Sequence, residues 1–119
     1  MRRTCLILAG LLPIALTAIA VIYPKQHLRS REFMLQNRLF ALRAVIGEYT
    51  VDQKKPPQSL QDLVDAGYLN AVPVDPITGK DQWIVIQQDA PVHNDAPGIR
   101  DVHGASDGRS LDGTPYSRW

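Results

Sequence analysis

The sequence has little of what disulfide-built domains and nucleic-acid-binding proteins usually contain. It has one cysteine, Cys5, so an intrachain disulfide is excluded. Its 13 basic and 12 acidic residues leave a net charge of +1, which provides no electrostatic case for binding nucleic acid. Aromatic residues make up 7% of the 119 residues. The chain is therefore expected to form one small domain with a modest core.

Motifs that carry catalysis are also missing from the sequence. It contains no Gly-rich phosphate loop, no nucleophile elbow and no Cys/His cluster. The histidines at positions 27, 93 and 103 are far apart in sequence and are predicted to be solvated polar residues. Because so small a core leaves little room for a rigid pocket, we do not expect an enzyme or a small-molecule substrate.

One long apolar run is present at the N-terminus. Cys5–Tyr23 carries no charge, and as a helix it would extend about 28 Å, close to the ~30 Å hydrocarbon core of a bilayer. Residues 1–24 are therefore predicted to be a membrane anchor or signal segment, and residues 25–119 the folded domain. An uncleaved anchor, an export signal cleaved after Ala18–Ala20 and a pilin-type leader are all compatible with this pattern. We expect the N-terminus to lie inside the cell, although the cations that follow the run oppose this orientation by the positive-inside count.

The apolar run continues into an amphipathic pattern that ends near Thr50. Steps of four and three residues predict one helix stripe, made of Leu35, Leu39, Leu42, Ile46 and Tyr49. Phe33, Phe40 and Val45 are expected to widen this face, and Pro56-Pro57 excludes further helix.

Shorter elements are predicted beyond the prolines. Ser59 is a candidate N-cap for a short helix that stops near Gly67. The β-branched and aromatic residues 83–86 favour a strand, and further short strands are expected within 96–102 and 114–119. Four stripe residues, Leu39, Leu42, Ile46 and Tyr49, are predicted to bury against Leu60, Leu63, Val64 and Trp83.

A Gly- and Ser-rich loop near the C-terminus carries three carboxylates, Asp101, Asp107 and Asp112. Carboxylates spaced along such a loop can hold calcium together with backbone carbonyls, although the spacing is not that of an EF-hand. The alternative is that all three are turn-forming residues beside glycines.

An ordered set of short motifs runs through the middle and the end of the chain. The set comprises Tyr49, Pro57-Gln58-Ser59-Leu60, Gly67-Tyr68-Leu69, Pro73-Val74-Asp75-Pro76-Ile77-Thr78-Gly79, Trp83, Gly98-Ile99-Arg100-Asp101 and Asp112–Trp119. This order resembles the major (G-type) pseudopilins of the bacterial type II secretion system, which are related to type IV pilins. The similarity covers well over half of the chain.

The resemblance implies an α+β, pilin-like fold, in which a long N-terminal helix packs on a short helix, a Pro-rich loop and a small antiparallel sheet. It implies a single-pass protein of the bacterial inner membrane with its C-terminal domain in the periplasm. Its expected partners are other pseudopilin subunits, components of the secretion machine and membrane lipid. The family also binds calcium in its C-terminal loop, where Asp101 and Asp107 match the family's aspartates and Asp112 is a possible helper.

The N-terminal segment departs from the family pattern. The family's leader ends in Gly, followed by an aromatic residue and Thr, with Glu as the fifth mature residue. Here Leu11 follows Gly10, Ala15 is the fifth residue after that glycine, and the first Glu is Glu32. In the family this Glu neutralises a neighbour's N-terminal amine inside the fibre. Two hypotheses therefore stand, a structural subunit of a secretion machine and a tethered periplasmic binding or adaptor module that no longer assembles.

Overall fold

The protein is an α+β chain with one long helix and a small two-stranded antiparallel sheet. The computed structural model describes the backbone of residues 2–88 and 97–119, and side chains from Pro24 onward within those ranges. Two compact units are present, Met1–Ser30 and Arg31–Trp119. The first unit is helical. The second contains the core and all of the elements that follow the long helix.

Helix α1 spans Arg2–Gln53, and its distal part supplies most of the core. The predicted stripe is confirmed, because its five residues are all buried: Leu35, Leu39, Leu42, Ile46 and Tyr49. The helix ends where Lys54 takes a positive φ of 56°, just before the buried prolines 56 and 57. A Pro-Pro pair cannot continue the backbone hydrogen bonding of a helix, so the sequence itself ends α1 here.

Helix α2 spans Leu60–Asp65 and begins with the predicted cap. The Ser59 hydroxyl accepts a hydrogen bond from the Asp62 amide, and the Asp62 carboxylate accepts one from the Ser59 amide in return. Gly67 follows the helix with a φ of 85°, which a residue without a Cβ adopts at little cost. The cap and the stop together hold Leu63 in the core, where it is fully buried.

The sheet pairs β1 (Trp83–Gln88) with β2 (Gly98–Gly104) in antiparallel register. The strands predicted at 83–86 and within 96–102 are confirmed. Trp83 and Val85 pack against the core, whereas Ile84 and Ile86 point outward, as the two-residue period of a strand requires. A Cβ at Gly98 would lie 2.7 Å from the Pro56 ring, so glycine is needed where β2 begins beside the prolines.

The C-terminal segment differs from its prediction. In place of a strand over 114–119 the chain forms a short 3₁₀ helix, η1, at Tyr116–Arg118, and Arg109 and Pro115 form an isolated bridge. Pro115 has no amide hydrogen with which to extend a ladder, and Gly113 turns the chain with a φ of 87°. The tighter helix buries Tyr116 and brings Trp119 against the core.

The core prediction is correct for most residues and wrong for two of them. Leu63 is buried, Leu60 and Trp83 pack against the core, and Val64 is half-buried. Phe33 and Phe40, which were expected to widen the core face, are instead 65% and 77% exposed. Among the described residues, the core packs on the opposite side of α1.

The membrane anchor is predicted over residues 1–24, and the side chains of residues 1–23 lie outside those that are described. Within the part of the chain that is described, no helix is long and apolar enough to cross a bilayer.

Candidate functional site

Arg43 is the centre of the polar network beside the C-terminal loop. Its Nε donates to Asp101 Oδ1 at 2.8 Å, and its Nη2 donates to the backbone oxygens of Val102 at 2.9 Å and Trp119 at 2.6 Å. One guanidinium therefore ties α1 to β2 and to the end of the chain. The planar fork of donors in arginine suits such a divergent set of acceptors.

Asp101 is held as a carboxylate by its neighbours. Burial alone would raise the pKa of Asp101, but hydrogen bonds from the Val102 amide and from Arg43 outweigh it and hold the pKa below its ordinary value. His103 Nε2 lies 3.7 Å from Asp101 Oδ2. The Asp101 side chain is about two-fifths exposed. Because Arg43 already neutralises this carboxylate, a metal ion at Asp101 would have to share it with a guanidinium.

The other two predicted calcium ligands have separate surroundings. Asp107 is exposed. Asp112 is also exposed, and its Oδ1 accepts hydrogen bonds from the Ser110 hydroxyl and, at 3.0 Å, from the Thr114 amide. The Ser110 hydroxyl, followed by the Thr114 amide, lowers the pKa of Asp112. Among the described residues no three His, Cys, Asp or Glu side chains come together in a group that could hold a metal ion.

Of the two histidines that the structure describes, His103 differs from its prediction as a solvated residue. His103 is half-buried, and its Nδ1 donates to the Trp119 backbone oxygen at 2.6 Å, which fixes the last residue against β2. His27 is exposed as predicted. The residue at position 93 lies outside the described residues.

Two buried carboxylates were not found from the sequence. Asp75 is fully buried, and its Oδ1 accepts from the Ile77 amide at 2.8 Å, which organises the Pro-rich loop. Glu32 is 9% exposed, and its Oε1 accepts from the Leu111 amide and the Tyr116 hydroxyl, both at 2.8 Å. The burial of Glu32 could have been predicted from its position three residues before Leu35, which places it on the same helix face as the core stripe.

An open recess lies between α1 and the C-terminal segment, with a volume of about 420 Å³. It is lined by Gln36, Leu39, Phe40, Arg43, Asp112 and Trp119. Its walls therefore combine two aromatic rings with a carboxylate, beside an arginine that is already paired.

A second apolar stripe lies on the side of α1 opposite the core. Phe33, Phe40, Ala44 and Val51 are separated by seven, four and seven residues, so helical geometry places them in one line. All four are exposed, Phe40 and Val51 at 77% each. We call these four residues the outer stripe.

Comparisons with protein-family models, with curated proteins and with solved structures found no match.

Proposed function

We propose that the chain is a pseudopilin-like structural subunit of a type II secretion or type IV pilus-like machine. In this proposal residues 1–24 anchor it in the bacterial inner membrane, and the folded domain lies in the periplasm, where copies associate and contribute to protein secretion across the outer membrane. The motif order in the sequence supports the family, and the α+β architecture is compatible with it. The observation that carries the assembling role is the outer stripe.

The outer stripe supports assembly because nothing in the described part of the chain covers it. Two phenylalanines and a valine along one helix face form an apolar surface of the kind that marks interaction sites. Burying each of these side chains would contribute roughly 1.5–3 kcal/mol before the costs of association are subtracted. The core stripe is already used by the domain itself, so α1 has one face for its own fold and one for a partner.

The exposed charges of α1 favour a second copy of this chain as that partner. Arg31 lies toward one end of the distal helix, and Glu48 lies toward the other. Copies anchored in the same membrane are parallel, so an in-register pair would place like charges side by side. A displacement along the helix axis brings acidic residues toward basic ones, which favours a staggered arrangement.

One observation favours the alternative, a tethered periplasmic adaptor that no longer assembles into a fibre. Glu32 is the first acidic residue of the sequence, and its Oε1 is already bound by Leu111 and Tyr116. It is therefore committed to its own domain and does not replace the family's glutamate, which pairs with a neighbour's amine. Assembly would then depend on the outer stripe and on surface charge.

Only the resemblance to the pseudopilins supports calcium binding by this chain. The described arrangement gives Asp101, Asp107 and Asp112 separate surroundings, and it does not fit a ready three-carboxylate site. No step of the proposed function depends on a calcium ion.

Association of the full-length chain in membranes tests the proposal. Phe33→Gln with Phe40→Gln should abolish oligomers seen on sedimentation of gently solubilised membranes, because it replaces the two largest apolar side chains of the outer stripe with polar ones. Ile84→Thr with Ile86→Thr is the matched control, since these two side chains are exposed on β1. Oligomers that survive the first change would contradict the proposal, as would a wild-type chain that remains monomeric.

Genetic deletion in the host separates the two functions. If the chain is a secretion subunit, its loss should leave exported proteins in the periplasm, and the outer-stripe variant should fail to restore their release. Normal secretion without the chain would favour the adaptor.

A further inference from the structure

The recess beside α1 has the chemistry of a site for a cation on an apolar stem. Phe40 and Trp119 provide aromatic rings, Leu39 contributes an apolar surface, and Asp112 provides a carboxylate. Cations carried on hydrocarbon stems are attracted to aromatic faces and to carboxylates at the same time.

The aromatic wall is held in place by its neighbours. The Trp119 ring makes an edge contact with Tyr116, with ring centroids 5.3 Å apart and an interplanar angle of 73°. Tyr116 is itself anchored by its hydrogen bond to the buried Glu32. The Trp119 backbone oxygen accepts from both Arg43 and His103. The Trp119 wall of the recess is therefore held in place before a ligand enters, which lowers the ordering cost on that side.

The charge balance of the recess favours a positive ligand. Arg43 lines it, but this guanidinium is paired with Asp101 and with two backbone oxygens. Asp112 is an exposed carboxylate at the mouth, hydrogen-bonded by Ser110 and Thr114 and ionised at neutral pH. An anionic group would meet this carboxylate, whereas a guanidinium would meet it with opposite charge.

We propose that the recess receives an arginine side chain, Arg29 or Arg31, from a second copy of this chain. Both arginines are exposed, whereas the neighbouring Glu32 is buried in its own domain, so the segment is a cationic surface without an exposed acid beside it. This charge complementarity is what selects a second copy as the occupant. The inference rests on the proposed function, because it names one contact between the subunits that it assumes.

The contact is heterologous, and this has a consequence for the assembly. The arginine segment and the recess are different surfaces of one chain, so each copy can donate to one neighbour and accept from another. Such head-to-tail contacts form rings or open fibres and not two-fold dimers. Phe40 belongs to both the recess and the outer stripe, so one neighbour can engage both surfaces.

Disulfide cross-linking of full-length chains in membranes tests the contact. Two differently tagged chains are co-expressed with Cys5→Ser, one carrying Ser30→Cys and the other Gln36→Cys at the rim of the recess. We expect a disulfide between the two chains. When Gln36→Cys is replaced by Lys80→Cys, another exposed position, we expect far less product, because Lys80 does not line the recess.

Charge variants then identify the interaction. Arg29→Gln with Arg31→Gln should lower the cross-link about fivefold, whereas the paired change to Lys should retain most of it, because a cation remains. Lys54→Gln with Lys55→Gln removes the same charge from other exposed sites and should have no effect. Asp112→Asn keeps the acceptor for the Thr114 amide, so the turn is preserved, and it should lower the cross-link as the arginine changes do.

The outcomes distinguish this inference from the proposed function. If oligomers depend on the outer stripe but the cross-link yield does not change in the arginine and Asp112 variants, the recess contact is overturned. The subunit role would then still stand. A wild-type chain without oligomers or cross-links would overturn both.

Discussion

Truncation of Leu42 is expected to remove a large part of the stability of the folded unit. Leu42 is fully buried at the middle of the core stripe. Leu→Ala at such sites costs about 2–5 kcal/mol, because the lost burial is compounded by the cavity left behind. A unit of about 90 residues has a total stability of roughly 5–13 kcal/mol, so this one change removes a large part of it.

Urea unfolding of a soluble fragment, residues 25–119, measures this effect. With a slope of about 1–3 kcal/mol per molar urea, a loss of about 2–5 kcal/mol lowers the midpoint by roughly 0.7–5 M. Phe40→Ala is the matched control, because it deletes a larger side chain that is 77% exposed, and we expect a change within about 0.5 kcal/mol. Equal midpoints for the two variants would refute the assignment of one face of α1 to the core and the other to a partner.

Three further predictions concern the alkaline limit, calcium and the N-terminus. Burial, followed by the hydrogen bond to Glu32, raises the pKa of Tyr116 to about 12, so its contribution to stability should be complete below pH 10 and be lost as the pH rises toward 12. Tyr116→Phe should remove the part of the stability loss at alkaline pH that comes from ionisation of Tyr116. Absorbance titration of tyrosinate measures the tyrosine pKa values, and an ordinary pKa for every tyrosine would contradict the prediction. If the C-terminal loop binds calcium, calcium at a hundredfold excess over Kd should stabilise the fragment by about 2.7 kcal/mol, and Asp107→Ala should abolish this gain. Identical melting curves with calcium and with chelator would show that the loop aspartates only form turns. Intact mass of the membrane-extracted protein should show that Cys5–Tyr23 is retained, whereas a mature chain beginning at Val21 would identify an export signal that is cleaved.

The helices were predictable from the sequence because local rules determine them. The stripe from Leu35 to Tyr49 follows helical periodicity, and Pro56-Pro57 ends the helix through the loss of an amide donor. The cap at Ser59 likewise depends on residues within four positions of one another. Such features need no knowledge of distant partners.

The polar contacts between distant parts of the chain were not predictable in this way. Arg43 binds residues 58 to 76 positions away, and Glu32 binds Leu111 and Tyr116 across 79 and 84 positions. The partners of Arg43 and Glu32 depend on how β2 and η1 pack against α1. The periodicity of the sequence does not predict this packing. The prediction for Phe40 was wrong for a different reason: helical geometry places Phe40 on the side of α1 opposite the core stripe, so the periodicity itself argues against its burial in the core.

Photo-cross-linking within native membranes tests the central claim, that this chain is an assembling subunit, most directly. A photo-reactive residue at position 44, on the outer stripe, should produce a ladder of covalent dimers, trimers and larger species of this chain. The same residue at position 74, where Val74 is exposed elsewhere on the domain, should produce far less. Products at position 44 that contain only other proteins, or no product at all, would contradict the account.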